Sequence, residues 1–167
     1  MQPEAVRGFI DRLEGAFREG DPLVDGKGAE AENVRRIQDQ YRAIARGDFA
    51  AVLDLLHEEV DFEISGPPGV PFVGRWRGRD EVAAAVRGNF AMVEDQWPEV
   101  RAVIAQGDTV VIVAHEHGRF RADEGGNGTD YALHWVQVFT FRDEKVARFH
   151  EIIDGYAIGL PAAQRRI

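Results

Sequence analysis

Apolar residues recur every three or four positions through most of the first half of the chain and at every second position through much of the remainder. A run of helices is therefore expected to precede a run of strands. Val6, Ile10, Leu13 and Phe17 predict an amphipathic helix over 3–18, with Pro3 near its first turn. Gly20-Asp-Pro-Leu-Val-Asp-Gly-Lys-Gly28 reads as a linker that breaks regular structure. Val34, Ile37, Tyr41, Ile44 and Ala45 share one face of a second helix that starts at Glu32 and is ended by Gly47. Asp48 is placed to cap a third, whose stripe is Phe49, Val52, Leu53 and Leu56 and which ends near His57-Glu-Glu59. Val60-Asp-Phe-Glu-Ile64 alternates as a half-buried strand, stopped by Gly66-Pro-Pro-Gly69. Gly78-Arg-Asp80 opens a further helix with Val82, Val86, Phe90 and Val93 on its inner face, and Pro98 precedes an alternating strand over 100–105.

Three runs rich in Val, Ile, Phe, Tyr and Trp follow, over 108–120, 131–141 and 146–153. Glu124-Gly-Gly-Asn-Gly-Thr129 and the tight Arg142-Asp-Glu-Lys145 turn separate them, so they read as an antiparallel meander. So apolar a sheet needs helices over one face, and the earlier part of the chain has to supply them. The expected class is α+β.

Composition narrows the partners. At 167 residues, 44% hydrophobic and 29% charged, the chain suits one domain with a real core. A formal net charge of -9 argues against nucleic acid or an anionic membrane as partner, although Arg75, Arg77 and Arg79 form a local basic group. No apolar run reaches the length of a membrane span, and Met1-Gln-Pro-Glu4 does not start like a signal peptide, so a cytoplasmic protein is expected. Without cysteine there is no disulfide, thiol nucleophile or thiolate metal site. Ser65 is the only serine, and no motif places a His or an acid with it.

Three segments carry a family resemblance: Gly47-Asp-Phe-Ala-Ala-Val-Leu-Asp-Leu-Leu-His-Glu-Glu-Val-Asp-Phe62, Gly74-Arg-Trp-Arg-Gly-Arg-Asp-Glu-Val82 and Lys145-Val-Ala-Arg-Phe-His-Glu-Ile-Ile-Asp154. In this order and spacing the chain, over about residues 32–156, resembles the SnoaL-like and ketosteroid-isomerase-like branch of the NTF2-like superfamily. The resemblance implies residues 1–31 as an extra helix and linker, and a domain over 32–160. The implied shape is a cone, with a curved, mixed but mostly antiparallel sheet wrapped around the N-terminal helices. It also implies an apolar cavity for a small hydrophobic molecule and a homodimer through the outer face of the sheet. The extra helix reads either as a lid over that cavity or as a packing element.

Ketosteroid isomerases of this kind use a carboxylate base on the first strand, with a helix tyrosine and a strand acid stabilising the enolate oxygen. By ungapped matching the base falls on Ile64, the strand acid on Gln137 and the tyrosine on Gln40. Tyr41 lies one step away, about 100° around the helix. The relatives' mechanism is therefore not expected to carry over unchanged.

The same matching, with the strand period of two, turns Ile112, Ala114, Glu116, Gly118 and Phe120 inward. Beside them it turns in Tyr131, Leu133, Trp135, Gln137 and Phe139, and Phe149, Glu151 and Ile153. Glu116 and Glu151 stand out there as carboxyls among aromatic rings. Burial raises a carboxyl pKa and suits either to general acid–base work near neutral pH. The bland alternative puts both at the cavity mouth or pairs them with arginines such as Arg75 and Arg77. His115, His117, His134 and His150 share the opposite face, together with Val111, Val113, Val136 and Val138. That face reads as a dimer surface, or as a metal site if the imidazoles converge. Asp154 is expected to accept hydrogen bonds where the last strand ends.

These readings converge on cofactor-independent acid–base chemistry, of isomerase, cyclase or hydratase type, on a small hydrophobic carbonyl compound. Glu116 or Glu151 would move the proton, with Gln137 and Tyr41 orienting the polar atom. Ile64, Trp76, Phe90, Trp135, Phe149 and Ile153 are expected to line the pocket, with no metal ligand among the site residues. The alternative is a ligand-binding or dimerisation module of the same fold without turnover.

Overall fold

The structure, a computed structural model, describes residues 15, 17, 22–68, 70–121 and 128–158. The helix expected over 3–18 and most of the hairpin tip at 124–129 lie outside the described residues, although Phe17 joins the buried core.

A short helix, α1 (Pro22–Asp25), interrupts the segment read as a linker. Pro22 takes its first position, where an absent N–H removes no bond. Arg35 Nη1 donates to the carbonyls of Val24 and Gly26 at 3.2 and 3.0 Å, which pins this turn to the next helix. That helix, α2 (Ala29–Arg46), buries Val34, Ile37, Tyr41 and Ile44 along one stripe. Gly47 ends it with φ 66°, a left-handed conformation that glycine adopts without a Cβ penalty. Asp48 then caps α3 (Phe49–Leu55), its carboxylate accepting from Ala51 N at 3.1 Å. Leu56 is buried as expected, but as the first residue of a strand. The helix α4 (Gly78–Met92) begins where the Glu81 carboxylate accepts from the Arg77 N–H at 2.9 Å, which satisfies one backbone donor at the helix start.

Six strands form one sheet: β1 (Leu56–Ser65), β2 (Gly74–Arg77), β3 (Val93–Gln106), β4 (Thr109–Phe120), β5 (Thr129–Arg142) and β6 (Lys145–Ile158). Their order is β2-β1-β6-β5-β4-β3, with β1 and β6 parallel and every other pair antiparallel. Two features depart from the sequence reading. The four-residue β2 is too short to show alternation and is recognised only through its pairing with β1, Phe62 opposite Trp76. β3 starts at Val93 rather than Val100 and runs through Pro98, which is tolerated because β3 is an edge strand. The meander holds: Phe120 faces Thr129 across one hairpin, and Asp143 and Glu144, at φ 51° and 63°, make the two-residue turn of the other.

Register shifts interrupt three pairings, between Leu56 and Asp61 in β1, at two places in β3 and at two in β5. Bulges of this kind bend strands and raise their twist, which curls the sheet around α2 and α4. The NTF2-like cone follows, with the core between the concave face and the helices. Phe149 anchors it, stacked on Phe62 at 4.4 Å and edge-on to Phe139 at 4.9 Å.

Candidate functional site

The core is not filled. A cavity of about 130 Å³ lies between α2, α4 and the concave face. Strand alternation brings Glu116, Trp135, Gln137, Phe139, Phe149, Glu151 and Ile153 to its wall, and β1 adds Phe62 and Ile64. Of the expected pocket residues, Ile64, Phe90, Trp135, Phe149 and Ile153 line it. Trp76 is not among the lining residues and packs against Phe62 at 5.7 Å. Both Gln40 and Tyr41 reach the wall, the one-step offset notwithstanding.

The two carboxyls are held differently. Glu116 accepts three hydrogen bonds: Tyr131 Oη at 2.7 Å and Gln96 Nε2 at 3.2 Å on Oε1, and Trp135 Nε1 at 3.0 Å on Oε2. Burial pushes its pKa up while these three donors pull it down, since they favour the charged form. Glu151 has one such donor among the described residues, Gln137 Nε2 at 2.7 Å. The residue is partly exposed, but its carboxyl is enclosed, and burial pushes it up to about 7 against the pull of Gln137 and with a push from the Glu116 charge. Gln137 in turn accepts from Tyr41 Oη. Tyr41, Gln137 and Glu151 thus form a chain from α2 through β5 to β6. Burial and the neighbouring Glu151 charge drive the Tyr41 phenol far upward, so it remains a donor.

Among the described residues, neither carboxyl pairs with an arginine. Arg75 bonds Asp61 in a fork of 2.9 and 2.6 Å on β1, and among the described residues no Lys, Arg or His lines the cavity. Gln96, Asn89 and Phe72 also line it, and the sequence reading assigned none of them to the site. Gln96 lies before the strand start read from the pattern, where Glu94-Asp-Gln-Trp-Pro98 shows no alternation.

The histidines divide rather than converge. His115 faces His134 across β4 and β5 with ring centroids 4.7 Å apart, and His134 pairs with Asp154 at 3.3 Å. Asp154 therefore acts within β6, which runs on to Ile158, and not at its end. His117 stacks on Trp97 at 6.0 Å, and His150 Nε2 meets Ser65 Oγ. That Ser65 contact was invisible in the sequence because it depends on the parallel pairing of β1 with β6. It is not ordered as a nucleophile relay: the nearest carboxylate, Glu63 at 4.0 Å, approaches the same Nε2. Among the described residues, no three His, Asp or Glu side chains are grouped to hold one metal ion.

Known proteins agree with this architecture. The family model described as SnoaL-like domain matches residues 37–149. An NTF2-like protein from Burkholderia xenovorans LB400 is similar at 30% identity and TM-score 0.66, over 74% of this chain and 90% of that one. An NTF2-like protein from Burkholderia thailandensis E264 is similar at 23% identity and TM-score 0.60, over 81% and 97%. An LEH-like epoxide hydrolase from M. tuberculosis shares the fold at 18% identity and TM-score 0.54, over 74% and 84%. No curated protein matches the sequence. With the family model matched across most of the cone and the first of these structures aligned over nearly its whole length, the chain belongs to the SnoaL-like domain family of the NTF2-like superfamily.

Proposed function

We propose that the protein is a cofactor-independent acid–base enzyme acting on a small hydrophobic carbonyl compound, by isomerisation, cyclisation or hydration. The observation that carries this reading is Glu151: an enclosed carboxyl with a single hydrogen-bond donor among the described residues, pushed up to about 7, in a cavity walled by aromatic and aliphatic side chains. A base with its pKa near the working pH balances proton affinity against availability. Glu151 takes a proton from the carbon next to the carbonyl and returns it to the same or another carbon. Gln137 Nε2 carries two hydrogens, one spent on Glu151 and the other directed to the carbonyl oxygen, while the Tyr41 hydroxyl, donating to Gln137 Oε1, holds the amide in this orientation. Glu116, its oxygens already engaged by three donors, positions Trp135, Tyr131 and Gln96 and adds negative charge that keeps Glu151 basic.

A fold shared with an epoxide hydrolase supports small-molecule chemistry as a class. The outer sheet face, with Ile152 43% exposed and Val111, Val113, Val136 and Val138 only half-buried, supports a homodimer through that surface.

The test is α-proton exchange. A panel of one-ring ketones is incubated in deuterium oxide with the protein and followed by proton NMR. Faster exchange that falls about 100-fold or more in Glu151→Gln supports the proposal. Binding of a ketone without accelerated exchange would leave a ligand-binding module instead.

A further inference from the structure

The charge pattern of the cavity is one-sided. Two carboxyls, Glu116 and Glu151, reach its wall, and among the described residues no Lys, Arg or His does. Anions such as carboxylates and phosphates are disfavoured there, because a negative charge beside these carboxyls would find no countercharge among the described residues. The Glu116 carboxyl meets opposing demands: three donors favour its ionised form, and burial favours the neutral one. A cation nearby would resolve both in favour of ionisation. The rest of the wall suits a cation as well. Phe62, Phe72, Phe90, Trp135, Phe139 and Phe149 line it, and the faces of such rings attract ammonium groups within about 6 Å.

We infer that the cavity selects a one-ring compound bearing a protonated amine, bound with its ammonium group between the Glu116 and Glu151 carboxyls and its ring against the phenylalanines. The size follows from the volume: about 130 Å³ is close to the roughly 150 Å³ of an engineered apolar cavity that takes benzene. This inference concerns the class of ligand that the cavity binds and does not rest on turnover there. Recognition of this kind is linked to protons. The titratable groups facing the ammonium are Glu116 on β4, Glu151 on β6 and the Tyr41 phenol on α2, with the Tyr131 phenol behind Glu116. Both phenols stay neutral at neutral pH, so the carboxyls alone respond, and each one that ionises releases a proton as the amine binds.

The experiment is titration calorimetry with cyclohexylmethylamine, cyclohexylmethanol and cyclohexanecarboxylate at pH 6 and pH 8, in two buffers of different ionisation enthalpy. The expected result is amine binding at least 10-fold tighter than alcohol at pH 8, weaker amine binding at pH 6, proton release on amine binding, and no measurable carboxylate binding. Glu151→Gln and Glu116→Gln should each reduce the preference for amine over alcohol while alcohol binding persists, which also shows that the variants are folded. Equal affinity for amine and alcohol, or tighter binding of the carboxylate, overturns the inference. Because the ketone-exchange assay is independent, exchange without amine preference removes this inference alone, and amine preference without exchange removes catalysis alone.

Discussion

Glu116 and Glu151 differ in how many donors they accept, three against one among the described residues, and that difference underlies the roles proposed for them. It also has a consequence for stability. The Glu151 carboxyl, ordinarily near 4.5, is pushed up to about 7 in the folded chain, so between those values the folded state holds a proton that the unfolded state has lost. Stability therefore falls as pH rises through this window, and the penalty persists above it. Glu151→Gln has no such proton to lose. Urea unfolding should show the variant gaining on the wild type, by on the order of 2 kcal/mol, between pH 4.5 and pH 7. His115 acts with the opposite slope: burial, then His134, holds its pKa below the usual 6.5, so stability is lost as pH falls below that value. His115 is present in both proteins, and the difference between the two curves isolates Glu151. Parallel curves would show that the carboxyl titrates normally.

Between elements, the tightest approach near the site is at Gly118. A Cβ there would lie 2.4 Å from the Asp95 carbonyl of β3 and 2.6 Å from the Tyr131 ring and hydroxyl of β5. Gly118→Ala should therefore cost about 1–3 kcal/mol in denaturant unfolding and weaken the Tyr131 bond to Glu116. An unchanged midpoint would mean that the β3–β4–β5 packing yields freely. Much of this level was legible in the sequence. The stripe Val34, Ile37, Tyr41, Ile44 needs only a helical period, and the inward set from Ile112 to Ile153 needs only alternation and one correct register. What stayed hidden depends on contacts between distant segments. β2 exists because it pairs with β1, and Gln96 reaches Glu116 because β3 starts earlier than its pattern shows. The order of the histidines was similarly unreadable: one face was correct, but which rings meet is set by pairings across β1, β4, β5 and β6.

For the whole molecule, the net charge of -9 and the apolar outer face pull in different directions. Like charge opposes self-association over the general surface, so a dimer has to be carried by the local patch around Ile152 and Val136. Sedimentation velocity should give a dimer for the wild type and a monomer for Ile152→Asp; a monomeric wild type would reject the interface. The sheet and helices enclose a hollow, and the proposed chemistry depends on the carboxyl that this hollow holds. Carbon-13 NMR of the glutamate side-chain carboxyls, titrated from about pH 3 to about pH 9 with Glu151→Gln as the assignment control, tests this directly. The resonance missing from the variant should titrate with an apparent pKa of about 7. A Glu151 resonance titrating near 4.5, as an ordinary carboxyl does, would contradict it.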